Sequence, residues 1–143
     1  MTYRGAVYAS QCDHMGHMNV MWYVEKFDEA TWQLLAAIGL TPTRLRRENI
    51  GMAGVEQHIE YKRELFAGDV VTVSTTMLEI REKAMRIEHQ MKNDETGEVA
   101  ARMVLVAVHL DRATRKARAF PEDVRERARS MIDGRNSGTV KST

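Results

Sequence analysis

Residues 11–27 of the chain read QCDHMGHMNVMWYVEKF, which predicts a loop followed at once by a helix. The loop part is polar and contains a glycine, as loops commonly do. From Val20 to Ile38, apolar side chains recur at steps of three and four residues, the spacing of one helix face. Asn19 is a suitable N-cap for this helix and Gly39 a suitable C-terminal stop. An acid and two histidines therefore lie just before a helix N-terminus, where backbone N–H groups are free and negative charge is favoured.

Length and composition predict one globular domain. The chain has 143 residues, of which 43% are hydrophobic and 29% are charged, and such a chain can bury a core. We expect one domain over residues 1–132 and a disordered tail over residues 133–143, which are rich in Gly, Ser, Asn and Thr. Because the net charge is only +1, we expect no nucleic-acid partner.

Cysteine usage and hydropathy predict a cytoplasmic location. The single cysteine, Cys12, cannot form an intramolecular disulfide. No apolar segment typical of a signal peptide precedes Gln11, and no apolar run is long enough to span a bilayer. We therefore expect a protein of a reducing compartment that does not insert into membranes.

The remainder of the chain predicts an antiparallel sheet. Alternating polar and apolar residues predict strands at residues 55–61 and 85–91, and a segment rich in Val and Thr predicts one at residues 70–80. Residues 99–110 predict a long strand, and because residues 103–108 are apolar on both faces, we expect it to lie in the middle of the sheet. Short connections favour antiparallel pairing of these strands. Further predictions are a strand within 2–10, a short helix at 42–48, a loop at Gly51 and Gly54, a strand end at 117–120 and a helix from Pro121. The wide apolar arc of the long helix predicts an α+β fold whose sheet wraps around that helix.

The loop and the helix resemble the start of a known enzyme family. Residues 13–19, which read DHMGHMN, resemble the opening motif of acyl-CoA thioesterases of the 4-hydroxybenzoyl-CoA thioesterase type, and Tyr23, Phe27 and the acidic pair Asp28-Glu29 follow it as in that family. The resemblance continues at residues 61–63, 68–69, 110–111 and 120–122, so it covers most of the chain. It implies a hotdog fold, and homodimers or homotetramers with sites at the subunit interface.

The resemblance assigns the chemistry to Asp13. It implies that the Asp13 carboxylate attacks the thioester or activates a water molecule, although a loop Asp can equally serve to bond nearby backbone N–H groups. The backbone N–H groups of Val20 and Met21 can stabilise the oxyanion at the helix N-terminus. His17 is predicted to orient Asp13 or to donate to the substrate carbonyl. Asn19 is predicted to set the helix cap and thereby the oxyanion hole.

Four residues are predicted to bind substrate. Tyr23 can line the acyl pocket, an assignment that core packing explains equally well. His58 is predicted to lie beside the substrate, with an ordinary place on a strand as the alternative. Lys62 and Arg63 are predicted to contact the CoA phosphates, with solvated surface charges as the alternative. No metal or other cofactor is expected, because the loop offers a single cysteine and no second pair of zinc ligands.

The sequence thus predicts an acyl-CoA thioesterase that hydrolyses a small or medium acyl-CoA to the free acid and CoA. Two alternatives stay open. One is a hotdog-type enoyl-CoA hydratase or dehydratase that uses Asp13 together with His17. The other is a non-catalytic acyl-CoA-binding domain, which would keep the fold but tolerate the loss of Asp13.

Overall fold

The fold combines a five-stranded antiparallel sheet with helices. A computed structural model describes residues 2–142, with side chains described through residue 134. The elements are, in order, β1 Tyr3–Ala6, a 3-10 turn Ala9–Gln11, α1 Val20–Ala37, α2 Pro42–Arg47, β2 Ile50–Tyr61, β3 Val70–Ile80, β4 Ala84–Asn93, β5 Val99–Asp111 and α3 Glu122–Ser142. The strands lie in the order β1-β3-β4-β5-β2, so β2 is at one edge of the sheet. No helix in residues 2–142 is both long and apolar enough to cross a bilayer.

The boundaries of α1 follow local signals that the sequence carries. The Asn19 side chain accepts a hydrogen bond from the Met21 N–H over 3.0 Å, which confirms Asn19 as the N-cap. At the other end, Gly39 adopts a φ of +94°, and the Leu40 N–H donates to the Leu35 carbonyl over 2.8 Å. Only glycine adopts this left-handed conformation readily, so Gly39 ends the helix as predicted.

Contacts divide the chain into two compact units. The first unit comprises Met1–Leu34, His58–Thr75 and His89–Met103, and the second comprises Leu35–Gln57, Thr76–Glu88 and Val104–Thr143. The prediction of a single domain over residues 1–132 stays a prediction. So does the prediction of disorder over residues 133–143, most of which lie outside the residues whose side chains are described.

The first unit has a core formed by one face of α1 and by alternate residues of β3, β4 and β5. Phe27 is fully buried, and burial of a ring of this size contributes about 1.5–3 kcal/mol to stability. The other large buried apolar side chains of this unit are Val7, Met18, Tyr23, Leu34, Leu65, Val71, Val73, Met91 and Met103. The predicted alternation of β3 and β4 is thereby confirmed.

The second unit packs α2 and α3 with the ends of the strands. Its buried apolar side chains include Ile38, Leu40, Ile50, Met85, Ile87, Phe120 and Val124. Arg44 of α2 donates to both carboxylate oxygens of Asp123, over 2.7 and 2.8 Å. A bidentate pair of this kind fixes the relative orientation of the two side chains and also adds electrostatic attraction between them.

Two predicted elements differ from the structure. β2 begins at Ile50, so Gly51 and Gly54 lie inside a strand and not in a loop. A Cβ atom on Gly51 would lie 2.6 Å from the Leu110 Cδ1, so the glycine allows a side chain of β5 to pass close to the backbone. The strand end predicted at 117–120 is reduced to an isolated bridge between Leu110 and Ala117.

Candidate functional site

The loop before α1 forms a short hairpin around Asp13. Cys12 and Met18 form an antiparallel bridge, and the Asp13 N–H donates to the His17 carbonyl over 3.0 Å. The Asp13 Oδ1 accepts a hydrogen bond from the Met15 N–H over 2.9 Å. Asp13 therefore has the turn-forming role that loop aspartates often have. That role uses only one carboxylate oxygen, so the Oδ2 remains for chemistry.

Backbone pairing brings a second carboxylate to the same hairpin. The Met18 N–H donates to the Leu65 carbonyl over 2.6 Å, and His17 forms an isolated bridge with Phe66. The His17 imidazole consequently lies between two acids, with Nδ1 3.7 Å from the Asp13 Oδ2 and Nε2 3.7 Å from the Glu64 Oε1. These distances exceed those of direct hydrogen bonds but allow electrostatic contact. The imidazole can thus orient the catalytic candidate Asp13.

The N-terminus of α1 offers one free backbone donor. The Met21 N–H is bonded to the Asn19 Oδ1, whereas the Val20 N–H makes no hydrogen bond with any residue from 2 to 142. The helix dipole adds a partial positive charge at this end. Of the two predicted oxyanion donors, Val20 is therefore the one whose N–H is available.

These groups line one pocket of about 420 Å³, which lies entirely within the first unit. The lining residues are Asp13, His17, Met18, Asn19, Val20, Tyr23, Tyr61, Lys62, Arg63 and Glu64. Two of the predicted site residues, Met21 and His58, are not among them. The His58 side chain is 72% exposed, with its Nε2 3.6 Å from the Glu60 Oε1.

Two tyrosines form an aromatic wall of the pocket. The ring centroids of Tyr23 and Tyr61 are 5.3 Å apart, and the ring planes are at 86° to each other. The Tyr23 hydroxyl donates to the Arg63 carbonyl over 3.1 Å. Burial raises the pKa of Tyr23 to about 12, so this phenol is neutral at pH 7. Tyr23 therefore presents a ring to the pocket, and its O–H group is already satisfied.

The two basic residues of the pocket already have acidic partners. The Arg63 Nε lies 2.7 Å from the Glu98 Oε2, and the Lys62 Nζ lies 3.8 Å from the Glu60 Oε2. The four side chains are between 41% and 66% exposed, and ion pairs that solvent reaches to this extent are weak. Lys62 and Arg63 can therefore exchange these partners for a phosphate group.

Sequence reasoning did not predict Met18, Tyr61 or Glu64 as pocket residues. Each is next in the chain to a residue that the sequence did single out, so their position was the available signal. Among the described residues, no group of three His, Cys, Asp or Glu side chains is arranged to hold a metal ion.

Replacement of Asn19 by alanine is expected to lower the free energy of unfolding by about 1 kcal/mol, the usual contribution of an N-cap. It should also lower kcat, because the first turn of α1 then no longer holds the Val20 N–H in place. Chemical denaturation and steady-state kinetics measure the two effects. Asn19→Ser is the matched control, since serine also caps helices. Equal kcat values for wild type, Asn19→Ala and Asn19→Ser would show that the helix cap does not contribute to catalysis.

Known proteins with similar sequences include two curated thioesterases. Over 109 residues, or 76% of this chain, the sequence is 32% identical to the L-carnitine dehydrogenase/betainyl-CoA thioesterase of Agrobacterium fabrum, and this match spans 22% of that protein's length. The chain is 25% identical over 116 residues to the long-chain acyl-CoA thioesterase FadM of Escherichia coli, which covers 81% of this chain and 87% of FadM.

A solved structure supports the same relationship at the level of the fold. A Staphylococcus aureus protein in complex with CoA superposes with a TM-score of 0.87 at 21% identity, over 92% of this chain and 82% of that one. The predicted hotdog fold and the predicted thioester hydrolase are confirmed by these matches together, whereas the 4-hydroxybenzoyl-CoA type stays a prediction. The sequence model of the thioesterase-like superfamily matches residues 7–128. The chain therefore belongs to the thioesterase-like superfamily.

Proposed function

We propose that this chain hydrolyses the thioester of a small or medium acyl-CoA to the free acid and CoA, with Asp13 as nucleophile or general base. One observation carries the proposal. The Asp13 carboxylate and the unbonded Val20 N–H line the same pocket of about 420 Å³. A thioester bound there is next to both an attacking group and an oxyanion donor.

The reaction proceeds by addition and elimination at the thioester carbon. In the general-base form, the Asp13 Oδ2 takes a proton from a water molecule, and the water oxygen forms a bond to the carbonyl carbon. The Val20 N–H donates to the oxyanion that develops. The carbon–sulfur bond then breaks and the CoA thiolate leaves with the electron pair. In the nucleophilic form, the Asp13 carboxylate attacks the carbonyl carbon, and the carbon–sulfur bond breaks with loss of the CoA thiolate to leave an anhydride. Water then hydrolyses this anhydride to the free acid and the Asp13 carboxylate.

His17 and Asn19 act as positioning residues in this scheme. The imidazole of His17 lies 3.7 Å from the Asp13 Oδ2 and keeps the carboxylate directed into the pocket. The Asn19 cap holds the first turn of α1 and with it the Val20 N–H. At the outer end, Lys62 and Arg63 contact the CoA phosphates, while His58 and Met21 lie outside the lining of the pocket.

We also propose that the chain forms a homodimer or homotetramer in the cytoplasm. β2 is an edge strand, and Val55 and Tyr61 on it are 60% and 48% exposed. An exposed edge strand with apolar side chains is a natural surface for pairing with a second copy. Light scattering at several protein concentrations measures the assembly, and a monomer at all of them would contradict the proposal.

The alternative of an enoyl-CoA hydratase draws support from one contact. Asp13 and His17 line the same pocket and are in electrostatic contact, with 3.7 Å between the Oδ2 and the Nδ1. The same acid and imidazole can add water across an activated double bond. The two reactions differ in product, because only hydrolysis releases free CoA thiol.

The deciding experiment measures free thiol from a panel of acyl-CoAs of increasing chain length, in parallel with hydration of an enoyl-CoA. The panel includes betainyl-CoA and a long-chain acyl-CoA, the substrates for which the curated relatives are named. We expect thiol release with the small and medium members. Hydration without thiol release would establish the hydratase. Acyl-CoA binding by calorimetry without either reaction would establish a binding domain.

A further inference from the structure

A second pocket, which shares no residue with the first, is lined by two arginines. Arg112 and Arg115 lie on the turn of residues 111–116 at the end of β5, and with Gly51, Met52 and Leu110 they line a pocket of about 480 Å³. All five residues belong to the second unit. Among the described side chains, no carboxylate is within ion-pair distance of either guanidinium. The pocket therefore has two positive charges that no described side chain neutralises.

The acid nearest to these arginines in the chain is already engaged by the turn itself. The Asp111 Oδ1 accepts hydrogen bonds from the Ala113 N–H over 2.8 Å and from the Thr114 N–H over 3.2 Å. Its Oδ2 accepts one from the Arg118 Nη1 over 3.2 Å. The bonds from Thr114 and Ala113 hold the pKa of Asp111 below its usual value, so the carboxylate stays charged. Asp111 thus holds the turn, and the two pocket arginines stay available to a ligand.

The backbone fixes the positions from which both arginine side chains extend. The Arg112 N–H donates to the Asn49 carbonyl over 3.0 Å, and a Cβ on Gly51 would lie 3.1 Å from the Arg112 Cγ, so this side chain passes close to the backbone of β2. The Arg115 N–H donates to the Asp111 carbonyl over 2.7 Å, and Arg115 has a φ of +59°. Glycine and asparagine adopt this conformation more readily, so an arginine there costs conformational energy. Strain of this kind is typical of functional sites.

We propose that this pocket binds a phosphate-bearing ligand, a phosphate monoester or a diphosphate, through the guanidinium groups of Arg112 and Arg115. A guanidinium presents parallel N–H groups that match two phosphate oxygens, and two guanidiniums balance the charge of a dianion. Met52 and Leu110 add apolar surface for the organic part of such a molecule, and the volume is typical of small-molecule pockets. Two sources supply this chemistry, namely the phosphate groups of CoA and a separate phosphate compound.

Isothermal titration calorimetry with pyrophosphate tests the site on the full chain and does not depend on the thioesterase function. We expect Arg112→Gln and Arg115→Asn each to raise the Kd for pyrophosphate by about tenfold, the usual effect of losing one charge-assisted contact. Because asparagine tolerates a positive φ, Arg115→Asn should unfold at the same denaturant concentration as wild type or at a higher one. Weaker binding by this variant then does not result from unfolding.

Arg46→Gln on α2 is the matched control. Arg46 is exposed, belongs to the same unit and has no acidic partner among the described residues, but it does not line the pocket. The control therefore removes the same charge from elsewhere on the unit and should keep the wild-type Kd.

Titration in the presence of CoA identifies the source of the phosphate. If the pocket holds the phosphates of CoA, saturation with CoA should abolish pyrophosphate binding, and Arg112→Gln should raise the Kd for CoA. If it holds a separate compound, pyrophosphate should bind the CoA-saturated protein with the same Kd. The proposal is overturned by the absence of pyrophosphate binding at millimolar concentration, by a wild-type Kd in both pocket variants, or by an equal rise in Kd for Arg46→Gln. None of these results bears on acyl-CoA hydrolysis, which free-thiol release tests separately.

Discussion

Replacement of Asp13 by asparagine is expected to lower kcat for acyl-CoA hydrolysis by about a hundredfold or more, the usual effect of losing a general base or nucleophile. Asparagine has nearly the same shape and can still accept the hydrogen bond that the Asp13 Oδ1 receives from the Met15 N–H over 2.9 Å. The hairpin should therefore persist, and only the basicity and nucleophilicity of the Oδ2 are removed. Free-thiol release under single-turnover and steady-state conditions measures the effect on the chemical step.

Two further variants make the result specific to Asp13. Asp13→Ala removes both the chemistry and the turn, so it should lose the same activity and about 1 kcal/mol of stability in addition. Asp28→Asn changes an exposed acid on the outer face of α1 and should leave kcat unaltered. Retention of most wild-type activity by Asp13→Asn, with unfolding unchanged, would remove Asp13 from the mechanism.

Local signals were sufficient to predict the elements that position the site. The cap at Asn19 and the stop at Gly39 are set by neighbouring residues in the chain, and both are confirmed. The alternation in β3 and β4 likewise predicts which side chains are buried, because the period of a strand is two. These features depend on residues that are close to one another in the chain, so the sequence alone is enough to predict them.

Other features depend on pairing between distant segments and could not be predicted in the same way. Glu64 reaches His17 only because the Met18 N–H bonds to the Leu65 carbonyl. Gly51 lies in β2 and leaves room for a β5 side chain from a distant part of the chain, whereas a glycine at this position of the sequence favours a loop. The Asn19 cap also occupies the Met21 N–H, which the sequence analysis expected to be a free oxyanion donor, and only the geometry of the cap shows which N–H it takes.

A buried histidine makes the stability of the first unit dependent on pH. His89 is fully buried on β4, and its ring stacks on Phe27 with 5.6 Å between centroids. Thr31 donates to the Phe27 carbonyl, so its oxygen accepts from the His89 Nε2–H over 2.8 Å. The Nδ1 is then unprotonated and accepts from the Thr75 hydroxyl over 2.7 Å. Both ring nitrogens are satisfied in the neutral tautomer.

Protonation of His89 opposes folding. Burial lowers the pKa of His89 to about 4 in the folded chain, from 6.5 when the side chain is free in water. As the pH falls below 6.5, the unfolded chain binds a proton that the folded chain does not bind, so stability decreases until the folded pKa is reached. At about 1.4 kcal/mol per pH unit, the loss between pH 6.5 and pH 4 is about 3 kcal/mol.

Denaturation of wild type and His89→Gln at several pH values between 7 and 4 tests this expectation. Glutamine can donate and accept hydrogen bonds but does not titrate, so the variant should lose less stability on acidification. It should be less stable than wild type at pH 7, because it lacks the ring that stacks on Phe27. Burial also lowers the pKa of His109, and that contribution is common to both proteins. The difference between the two slopes therefore isolates His89. His58→Gln, which removes a histidine whose side chain is 72% exposed, should leave the wild-type slope unchanged. Parallel loss of stability in wild type and His89→Gln would show that His89 does not control the acid sensitivity.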